Sequence, residues 1–525
     1  MERTLIIGTR GSDLALWQAH FVQDSLKAIG ITAELKIIKT QGDRILNLSF
    51  DKLEGKGFFT KELEDELLAG TIDLAVHSHK DLPTENPPGL IIAAVSERED
   101  PSELLLISKD CVDIRQKLSV KFGAKVGTSS NRRKAQLLSY RPDLEIHELR
   151  GNVPTRVNKL REEQYDAIMI AKAGAYRLGL DLSEFHIEEL SPTELVPAPA
   201  QGALAIQVRE TDKEIFDALQ ALNHPNVVEE LAVERTVLKL FGGGCHLPLG
   251  CYCRKVDGIY QVFTAKADEG SEFPDRLFVQ SETTEGLPEK IVKYFEKDRV
   301  FPQKVFISRE LGEKSYFRKA LEKHNIEVEA VSFIRTIPII TKLDGFILKN
   351  ADWLFFSSKN AVEYFFQLEP LLPKKVKYAV MGSGSEEALN RLGHVADFTG
   401  EGGDPKMVAS DFAAIANGQT VVFPSAENSL RSIQHGLSAD TKIIDLPIYT
   451  TVQVKNIETC CEDILVFTSP SNVEAYFVDN LLEPGQKVIA IGNSTGKKLE
   501  EYGVAYTLPY SPDETGLAEA VFGLL

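Results

Sequence analysis

The chain is short of cysteine and of long apolar runs, and both shortages exclude classes of protein. Its six cysteines are too few, in 525 residues, for the disulfide framework of small secreted domains. No stretch approaches the roughly 20 consecutive apolar residues that cross a bilayer, so we expect no membrane-spanning segment. The N-terminal residues lack the apolar region of a signal peptide, which favours a cytoplasmic location.

Positive charge is also in short supply, since 59 lysines and arginines face 77 aspartates and glutamates. The resulting net charge of −18 argues against general nucleic-acid binding, which needs a basic face. A content of 43% hydrophobic and 26% charged residues is typical of globular proteins, and the length favours about three to five domains. We expect a monomer that has neither a nucleic acid nor a membrane as its partner.

Against this acidic background, arginines recur at turns between a predicted strand and a predicted helix. The arginines in such turns are Arg10, Arg132, Arg150 and Arg156. Free N–H groups at helix N-termini meet anions, and guanidinium groups bind carboxylates in a bidentate manner. Arg132 and Arg133, directly before a helix predicted over Lys134–Ser139, conflict with the helix dipole, and an anionic ligand would relieve that conflict. The pattern therefore predicts a small ligand with many carboxylates.

An adjacent Lys80–Asp81 pair follows a strand predicted over Ile72–His77. In open α/β sheets, ligands bind beyond the carboxyl ends of the strands, where this pair lies. The lysine would hold a substrate anion while the carboxylate exchanges protons with the substrate. A surface ion pair of little energetic value explains the same two residues equally well.

The glycine-rich stretch Phe241–Gly250 places Cys245 on a loop and not in an apolar core. Nearby cations would favour its thiolate, so this cysteine is a candidate for carrying a covalent group. Cys251 and Cys253 alternate on the strand that follows, so both point to one face. With Cys245 and His246 they are possible metal ligands, but their spacing matches no common zinc pattern, and we expect no metal.

An internal repeat begins beyond about residue 300. The segment Trp353–Ser358 recurs as Ile464–Ser469, and Tyr378–Gly382 recurs as Val488–Gly492. Two copies of a strand–helix pattern predict two similar domains with parallel sheets. The turns after these strands offer hydroxyls and backbone N–H groups, and they lack the Cys/His or carboxylate pairs of covalent or metal chemistry. This half is interpreted as a binding clamp in which any catalysis comes from positioning.

Six segments in the first half together resemble the porphobilinogen deaminase family, also called hydroxymethylbilane synthase. They are Gly8–Gln18, His77–Pro83, Gly127–Arg133, Leu149–Asn152, Pro199–Ala203 and Gly243–Cys245. The resemblance implies two periplasmic-binding-protein-like α/β domains, one over residues 1–100 with 199–221 and one over 101–198. It also implies a small α+β domain over 222–300 that anchors a cofactor.

The same resemblance implies roles for single residues. Cys245 would carry a dipyrromethane cofactor through a thioether, and Asp81, with Lys80, would handle the pyrrole nitrogen charge and the departing amino group. The residues expected to hold the cofactor are Arg10, Ser12, Lys80, Asp81, Thr128, Ser129, Arg132, Arg133, Arg150 and Gln201. Those expected to hold substrate carboxylates are Arg10, Arg150, Arg156 and Arg177. His79 and His246 stand where the family commonly has other residues.

The second half is similar to the uroporphyrinogen-III synthase family. The similarity rests on the repeat and on the segments Phe355–Val362, Pro447–Thr450, Phe467–Pro470 and Ile491–Thr495. It implies two flavodoxin-like α/β domains, one over residues 302–338 with 452–525 and one over 339–451. Tyr449 matches a tyrosine proposed to assist loss of a hydroxyl group. The residues expected to bind the substrate are Ser358, Thr468, Ser469, Ser494 and Thr495.

The two resemblances together imply a bifunctional enzyme of tetrapyrrole synthesis. The first half would join four porphobilinogens into hydroxymethylbilane with loss of ammonia, and the second would close it to uroporphyrinogen III with inversion of the last ring. Its partners would be small pyrrole and tetrapyrrole polycarboxylates. One alternative keeps the deaminase and makes the second half an inactive scaffold or carrier. Another is a polyanion-binding module without catalysis, which would need no covalent anchor at Cys245.

Overall fold

The computed structural model describes residues 3–40, 60–244, 247–270, 272–295, 300–340, 342–343, 345–400, 404–454 and 462–524. The chain divides into two compact units, the first over Met1–Val112 and Val120–Arg299 and the second over Asp113–Ser119 and Val300–Leu525. Both units combine β-sheets with α-helices, so the predicted α/β class is confirmed. Among the described residues, no helix has the length and apolar character needed to cross a bilayer.

The first unit alternates strands and helices along most of its length. Its described strands are β1 Leu5–Thr9, β2 Ala33–Ile37, β3 Leu74–Ser78, β4 Leu90–Val95, β5 Glu103–Ile107, β6 Lys125–Gly127, β7 Glu145–His147, β8 Ala167–Ala171, β9 His186–Leu190, β10 Leu204–Arg209, β11 Leu249–Val256, β12 Ile259–Lys266 and β13 Asp275–Ser281. Its described α-helices are α1 Asp13–Ala28, α2 Lys61–Leu68, α3 Asn131–Tyr140, α4 Val153–Arg161, α5 Lys172–Arg177, α6 Lys213–Leu219, α7 Pro225–Leu240 and α8 Leu287–Tyr294.

Three sheets organise the described part of the first unit. One has the strand order β2-β1-β3-β10-β4, a second has β7-β6-β8-β5-β9, and the third is the antiparallel sheet β11-β12-β13. The chain passes from the first sheet to the second between β4 and β5, and it returns between β9 and β10. The two crossover segments contact each other, since Glu99 N donates to Gly202 O at 3.2 Å.

Helix α3 begins earlier than the sequence pattern predicts. The prediction places its start at Lys134, whereas the helix begins at Asn131. Ser130 is the N-cap, and its side-chain oxygen accepts a hydrogen bond from Arg133 N at 3.4 Å. Arg132 and Arg133 therefore lie inside the first turn, and both side chains are buried.

The second unit holds the remaining elements. Its described strands are β14 Lys304–Ile307, β15 Glu327–Ala330, β16 Ile334–Pro338, β17 Trp353–Phe356, β18 Lys377–Val380, β19 Phe398–Thr399, β20 Thr420–Ala426, β21 Lys442–Gln453, β22 Ile464–Phe467 and β23 Lys487–Ala490. Its described α-helices are α9 Tyr316–Glu322, α10 Gly345–Leu348, α11 Lys359–Gln367, α12 Ser383–Arg391, α13 Pro405–Ala416, α14 Pro470–Asp479, α15 Asn493–Glu501 and α16 Glu514–Gly523.

Two sheets form the described core of the second unit, with the strand orders β15-β14-β22-β23 and β16-β21-β20-β17-β18-β19. The strands of the sequence repeat pair in parallel, β17 with β18 and β22 with β23, as predicted. Each repeat also starts its first helix in the same way. Ser358 caps α11 at φ −157° and ψ 157°, and Ser469 caps α14 at φ −162° and ψ 155°. Ser358 and Ser469, which follow β17 and β22, are therefore helix caps, whereas glycines Gly382 and Gly492 stand at the N-caps after β18 and β23.

Candidate functional site

A buried carboxylate joins the two arginines of α3. Glu103 Oε1 lies 2.7 Å from Arg132 Nη2, and Glu103 Oε2 lies 2.7 Å from Arg133 Nη2. Burial alone would raise the pKa of Glu103, but the charges of Arg133 and Arg132 outweigh it and lower that pKa to about 2. The conflict between these arginines and the helix dipole is thus relieved within the chain, by Glu103. A lone carboxylate in the otherwise apolar strand β5 was the sequence signal for it.

Lys80 and Asp81 lie beside this ion-pair cluster. They belong to a 3-10 turn, His79–Asp81, at the end of β3. Lys80 Nζ donates to Gln201 Oε1 at 3.2 Å, and Gln201 Nε2 donates to Pro101 O at 2.8 Å. Burial lowers the pKa of Lys80, while the nearby charge of Asp81 raises it. The lysine is therefore held between the two crossover segments.

Arg156 brings a further cation to Asp81. Burial lowers the pKa of Arg156 to about 10, with the charges of Arg133 and Arg150 acting in the same direction and that of Asp81 opposing them. Arg156 Nε donates to Gly151 O at 2.8 Å, which fixes its position at the start of α4. The structure thus gathers a cationic cluster around Asp81 and Glu103, defined by Lys80, Arg132, Arg133 and Arg156.

A second buried carboxylate, Glu234 on α7, ties the crossover segments to the third sheet. It forms two hydrogen bonds with Arg98, at 2.7 and 3.2 Å, and accepts from Ala200 N and Cys253 N at 2.7 Å each. Arg98 Nε also donates to Gln201 O at 3.0 Å. Because Gln201 contacts Lys80, a continuous chain of hydrogen bonds runs from α7 to the cationic cluster.

Helix α7 also holds the turn that carries Asp81. Arg235 donates to the carbonyl oxygens of His79, Leu82 and Pro83. At the end of α7, Gly243 has a φ of +44°, and a Cβ there would lie 3.0 Å from Thr84. The base of the glycine loop therefore packs against the segment that follows Asp81. Cys245 and His246 lie outside the described residues, two and three positions beyond Gly243.

A small cavity of about 30 Å³ opens beside Asp81, and Arg10 and His77 also line it. Burial, reinforced by the charge of Arg10, lowers the pKa of His77 to about 4. Burial lowers the pKa of His79 to about 3, with the charges of Arg235, His77 and Arg98 adding to the effect. Both imidazoles are neutral at pH 7, so the turn before Lys80 carries no extra positive charge.

Other predicted site residues of the first unit have partners within the protein. Ser12 is the N-cap of α1, and Thr128 Oγ1 accepts from Ser130 N at 3.2 Å. Ser129 Oγ donates to Leu149 O at 3.0 Å. Arg177 donates to Gly202 O at 2.6 Å, and its guanidinium lies 5.5 Å from the centre of the Trp17 ring. Arg150 Nε forms an ion pair with Glu148 at 3.2 Å, at the edge of the cationic cluster.

Cys251 and Cys253 both lie in the core under the third sheet, as the alternation on their strand predicts. Burial raises the pKa of each thiol above its ordinary value. Neutral thiols packed in an apolar core are poor metal ligands. Within the described parts of the chain, no group of His, Cys, Asp or Glu side chains forms a metal site.

The predicted site residues of the second unit are hydroxyls. Tyr449 Oη lies 3.1 Å from Ser358 Oγ, and burial raises the pKa of Tyr449. Thr468 Oγ1 donates to Ser308 O at 3.0 Å, at the carboxyl ends of β14 and β22. Ser494 is exposed near the start of α15, and Thr495 is buried there.

Arg309, next to Ser308, forms an ion pair with Glu514 at 2.9 Å. Arg309 belongs with the residues that the sequence left without a role. Tyr364 is another such residue, and its ring stacks on that of Tyr449.

Comparison with known proteins finds matches to both halves of the chain. The family model described as porphobilinogen deaminase, dipyromethane cofactor binding domain, matches residues 5–217, and the model for uroporphyrinogen-III synthase HemD matches residues 315–519. A porphobilinogen deaminase of Fusobacterium nucleatum is 44% identical over 293 residues, which cover 54% of this chain and 94% of that protein.

A porphobilinogen deaminase of Gloeobacter violaceus is 48% identical over 255 residues, which cover 48% of this chain and 77% of that protein. Among solved structures, a uroporphyrinogen-III synthetase of Helicobacter pylori is 18% identical, with a TM-score of 0.32. That match covers 42% of this chain and 100% of the other. The first family match ends at residue 217, before the glycine loop with Cys245.

Proposed function

The chain belongs to the porphobilinogen deaminase family and continues into a uroporphyrinogen-III synthase domain, and we propose on this premise that one polypeptide performs two consecutive steps. The first unit makes hydroxymethylbilane from four porphobilinogens and releases ammonia. The second closes the linear tetrapyrrole to uroporphyrinogen III with loss of water. The observation that carries the proposal is the gathering of Lys80, Arg132, Arg133 and Arg156 around Asp81.

A dipyrromethane bears several carboxylates, and the residues of the first unit fit such a group. Arg133 Nε, in the cationic cluster, is buried and has no hydrogen-bond partner among the described residues. The cationic cluster also contains more cations than carboxylates, which favours an anionic occupant. When bound, the dipyrromethane supplies the primer to which pyrrole rings are added.

Two further groups of residues complete the proposed cofactor site. Arg10, Ser12, Thr128, Ser129, Arg150 and Gln201 would hold the remaining carboxylates, and Arg10 lines the same small cavity as Asp81. Cys245 would form the thioether, since the base of its glycine loop packs beside the turn with Asp81. Arg156 and Arg177, with Arg10 and Arg150, would hold the carboxylates of each incoming porphobilinogen by bidentate hydrogen bonds.

Asp81 is the residue to which we assign the proton exchange. It is exposed, it lines the cavity, and it interacts with the charges of Lys80 and Arg156. An exposed carboxylate among fixed cations can accept hydrogen bonds from a pyrrole N–H and stabilise positive charge that develops on the substrate. Lys80, fixed by Gln201, would hold a substrate carboxylate next to it.

In the second unit we assign the loss of the hydroxyl group to Tyr449. Its phenol is protonated at neutral pH and can donate a proton to the oxygen that leaves as water, and burial, which raises its pKa, keeps bulk water from competing for that proton. Ser358, Thr468, Ser469, Ser494 and Thr495 would bind carboxylates through hydroxyls and nearby helix N-termini. Catalysis here would come from positioning the two ends of the linear substrate for ring closure.

We also propose how the chain divides into domains. Residues 1–100 with 199–221, and 101–198, would form the two periplasmic-binding-protein-like domains, with the cofactor-anchoring domain at 222–300. Residues 302–338 with 452–525, and 339–451, would form the flavodoxin-like domains. We further propose that the protein acts as a monomer in the cytoplasm on small pyrrole and tetrapyrrole polycarboxylates.

Intact-mass measurement tests the covalent anchor. We expect the purified chain to carry the mass of one dipyrromethane, and Cys245→Ser to lack it, because a serine hydroxyl offers no sulfur for the thioether and is a much weaker nucleophile than a thiolate. Cys460→Ser, outside the glycine loop, should keep the added mass. An added mass that persists in Cys245→Ser would overturn the assignment.

A further inference from the structure

Tyr449 is held by a single helix at two points. Its hydroxyl lies 3.1 Å from the Oγ of Ser358, which is the N-cap of α11. Its ring stacks on that of Tyr364, the sixth residue of the same helix, with ring centres 5.2 Å apart and planes 17° apart. The phenol therefore lies along α11, with its hydroxyl at the N-terminal end of the helix. That end carries partial positive charge.

Tyr364 is itself fixed by the neighbouring strand. Its hydroxyl donates to Thr336 O at 2.8 Å and lies 3.0 Å from Thr336 Oγ1. Thr336 belongs to β16, which pairs antiparallel with β21 and places Pro338 opposite Tyr449. Tyr364 thus connects α11 to the strand beside Tyr449, and the ring of Tyr449 packs against a partner that is anchored at its far end.

We propose that Tyr364 is a positioning residue for ring closure, because it fixes the ring of Tyr449 so that the phenol hydroxyl stays at Ser358. This inference rests on the proposed function, since it takes Tyr449 as the proton donor. In that step the C–O bond of the hydroxymethyl group breaks, and the oxygen leaves as water with the proton of Tyr449. Inversion of the last ring then breaks its C–C bond to the third ring and forms two new C–C bonds, one to each neighbouring ring. The phenol regains a proton when the α-carbon that carried hydrogen loses it.

Loss of the stacked ring of Tyr364 is expected to lower kcat of the synthase reaction. Without Tyr364, the Tyr449 ring has no stacked partner and its hydroxyl can leave Ser358. Because a shift of about 1 Å in a reacting group costs up to roughly 10²-fold in rate, we expect Tyr364→Leu to lower kcat of the synthase reaction about 10- to 100-fold. Tyr364 is not among the residues proposed to bind substrate carboxylates, so we expect KM to change much less than kcat.

Tyr364→Phe is the conservative variant. It keeps the stacked ring and loses the hydrogen bond to Thr336, so we expect about a threefold decrease in kcat, in line with the modest value of one neutral hydrogen bond. Phe366→Leu is the matched control, because Phe366 lies on the same helix but stacks on His394. Its effect on kcat should be within about twofold, as expected for an aromatic ring that does not touch the reacting group.

The experiment uses the full chain and freshly prepared hydroxymethylbilane, and it measures the rate of uroporphyrinogen III formation. Ammonia release from porphobilinogen by the same chain serves as an internal control for folding of the first unit. If Tyr364→Leu is too unstable to purify, Tyr364→Phe still tests the anchoring hydrogen bond, and Thr336→Val removes only the contact with Thr336 Oγ1 and should have the smaller effect.

Two outcomes separate this inference from the proposed function. A strong decrease in Tyr449→Phe, together with Tyr364→Leu no slower than Phe366→Leu, would overturn the positioning role and leave the function standing. Unchanged turnover in Tyr449→Phe would remove the proton donor and the positioning role with it. A kcat loss in Tyr364→Leu, largely restored in Tyr364→Phe at constant KM, is the result that supports the inference.

Discussion

The candidate sites of the two units are built from different chemistry. The first unit surrounds its site with buried charges, as in the ion pairs of Glu103 with Arg132 and Arg133. The second unit uses hydroxyls, such as Ser358 beside Tyr449, and two of them, Ser358 and Ser469, also cap helices. A buried charge needs a partner of opposite sign and so constrains its surroundings tightly, whereas a capping hydroxyl is common wherever a helix begins. The difference explains why one site is easily found in the sequence and the other is not.

The largest effect is expected on the rate of the first reaction when Asp81, the exposed carboxylate of the first unit, is replaced. Asp81→Ala removes the group that exchanges protons, and we expect the rate of ammonia release from porphobilinogen to fall about 10³-fold, within the usual range for a general acid or base. Asp110→Ala changes an exposed aspartate of the same unit and should leave the rate unchanged. Closure of supplied hydroxymethylbilane should be normal in both variants. Normal ammonia release from Asp81→Ala would contradict the assignment.

Removal of the buried carboxylate of Glu103 tests whether its ion pairs with Arg132 and Arg133 stabilise the first unit. Glu103→Gln leaves Arg132 and Arg133 buried without their anion, and we expect a loss of about 3 to 5 kcal/mol in the free energy of unfolding of the first unit. Urea unfolding of the full chain, with the cooperative transition of the first unit followed, provides the measurement. Glu145→Gln, at an exposed position, is the control. Equal stability of the two variants would show that the ion pairs contribute little.

His79, the buried histidine before Lys80, should make the free energy of unfolding depend on pH, with an effect of intermediate size. Both ring nitrogens of His79 are buried without a hydrogen-bond partner among the described residues, and its pKa is lowered to about 3. An unfolded histidine titrates near pH 6.5, so between about pH 3 and 6.5 the unfolded state binds more protons, and stability falls as the pH falls. At pH 5 this amounts to about 2 kcal/mol.

Replacement of that histidine should remove this pH dependence. We expect the loss of stability between pH 7.5 and pH 5 to be about 2 kcal/mol smaller in His79→Leu than in the parent chain. The exposed His20 supplies the control variant, His20→Leu, which should behave like the parent. The same urea experiment at the two pH values measures both. An unaltered pH dependence in His79→Leu would mean that His79 is not neutral in the folded protein.

The smallest effect concerns the capping hydroxyls of the second unit. Ser358→Ala and Ser469→Ala remove equivalent N-caps, and we expect each to lower the free energy of unfolding by about 1 kcal/mol. Their backbone conformations are nearly identical, so the two losses should agree within about 0.5 kcal/mol. A much larger loss in Ser358→Ala would show that its contact with Tyr449 contributes to stability as well.

Much of the first unit could be predicted from its sequence, because turn residues and helix caps mark where many of its strands and helices begin and end. The strand predicted over Ile72–His77 is found as β3, Leu74–Ser78. The start of α3 was misplaced, because the pattern of apolar residues begins later than the cap at Ser130. Glu103 and Glu234 were missed as partners, since their arginines lie far away in sequence and only the fold brings them together.

The second unit shows the limits of local patterns. The repeat predicted parallel strands correctly, because apolar runs followed by capped helices have few other solutions. The pairing of Tyr449 with Ser358 and Tyr364 depends on strand β21 lying beside α11, which no local pattern encodes. The roles of the individual site residues in both units remain predictions.

The most direct test of the central claim is a product analysis. The purified chain is incubated with porphobilinogen, and the porphyrins are separated by chromatography after acid oxidation. We predict mainly the type III isomer, because the second unit closes the bilane that the first unit makes. Type I alone, from spontaneous closure of released bilane, would contradict a working second unit. No porphyrin from a chain that carries its cofactor would contradict the account as a whole.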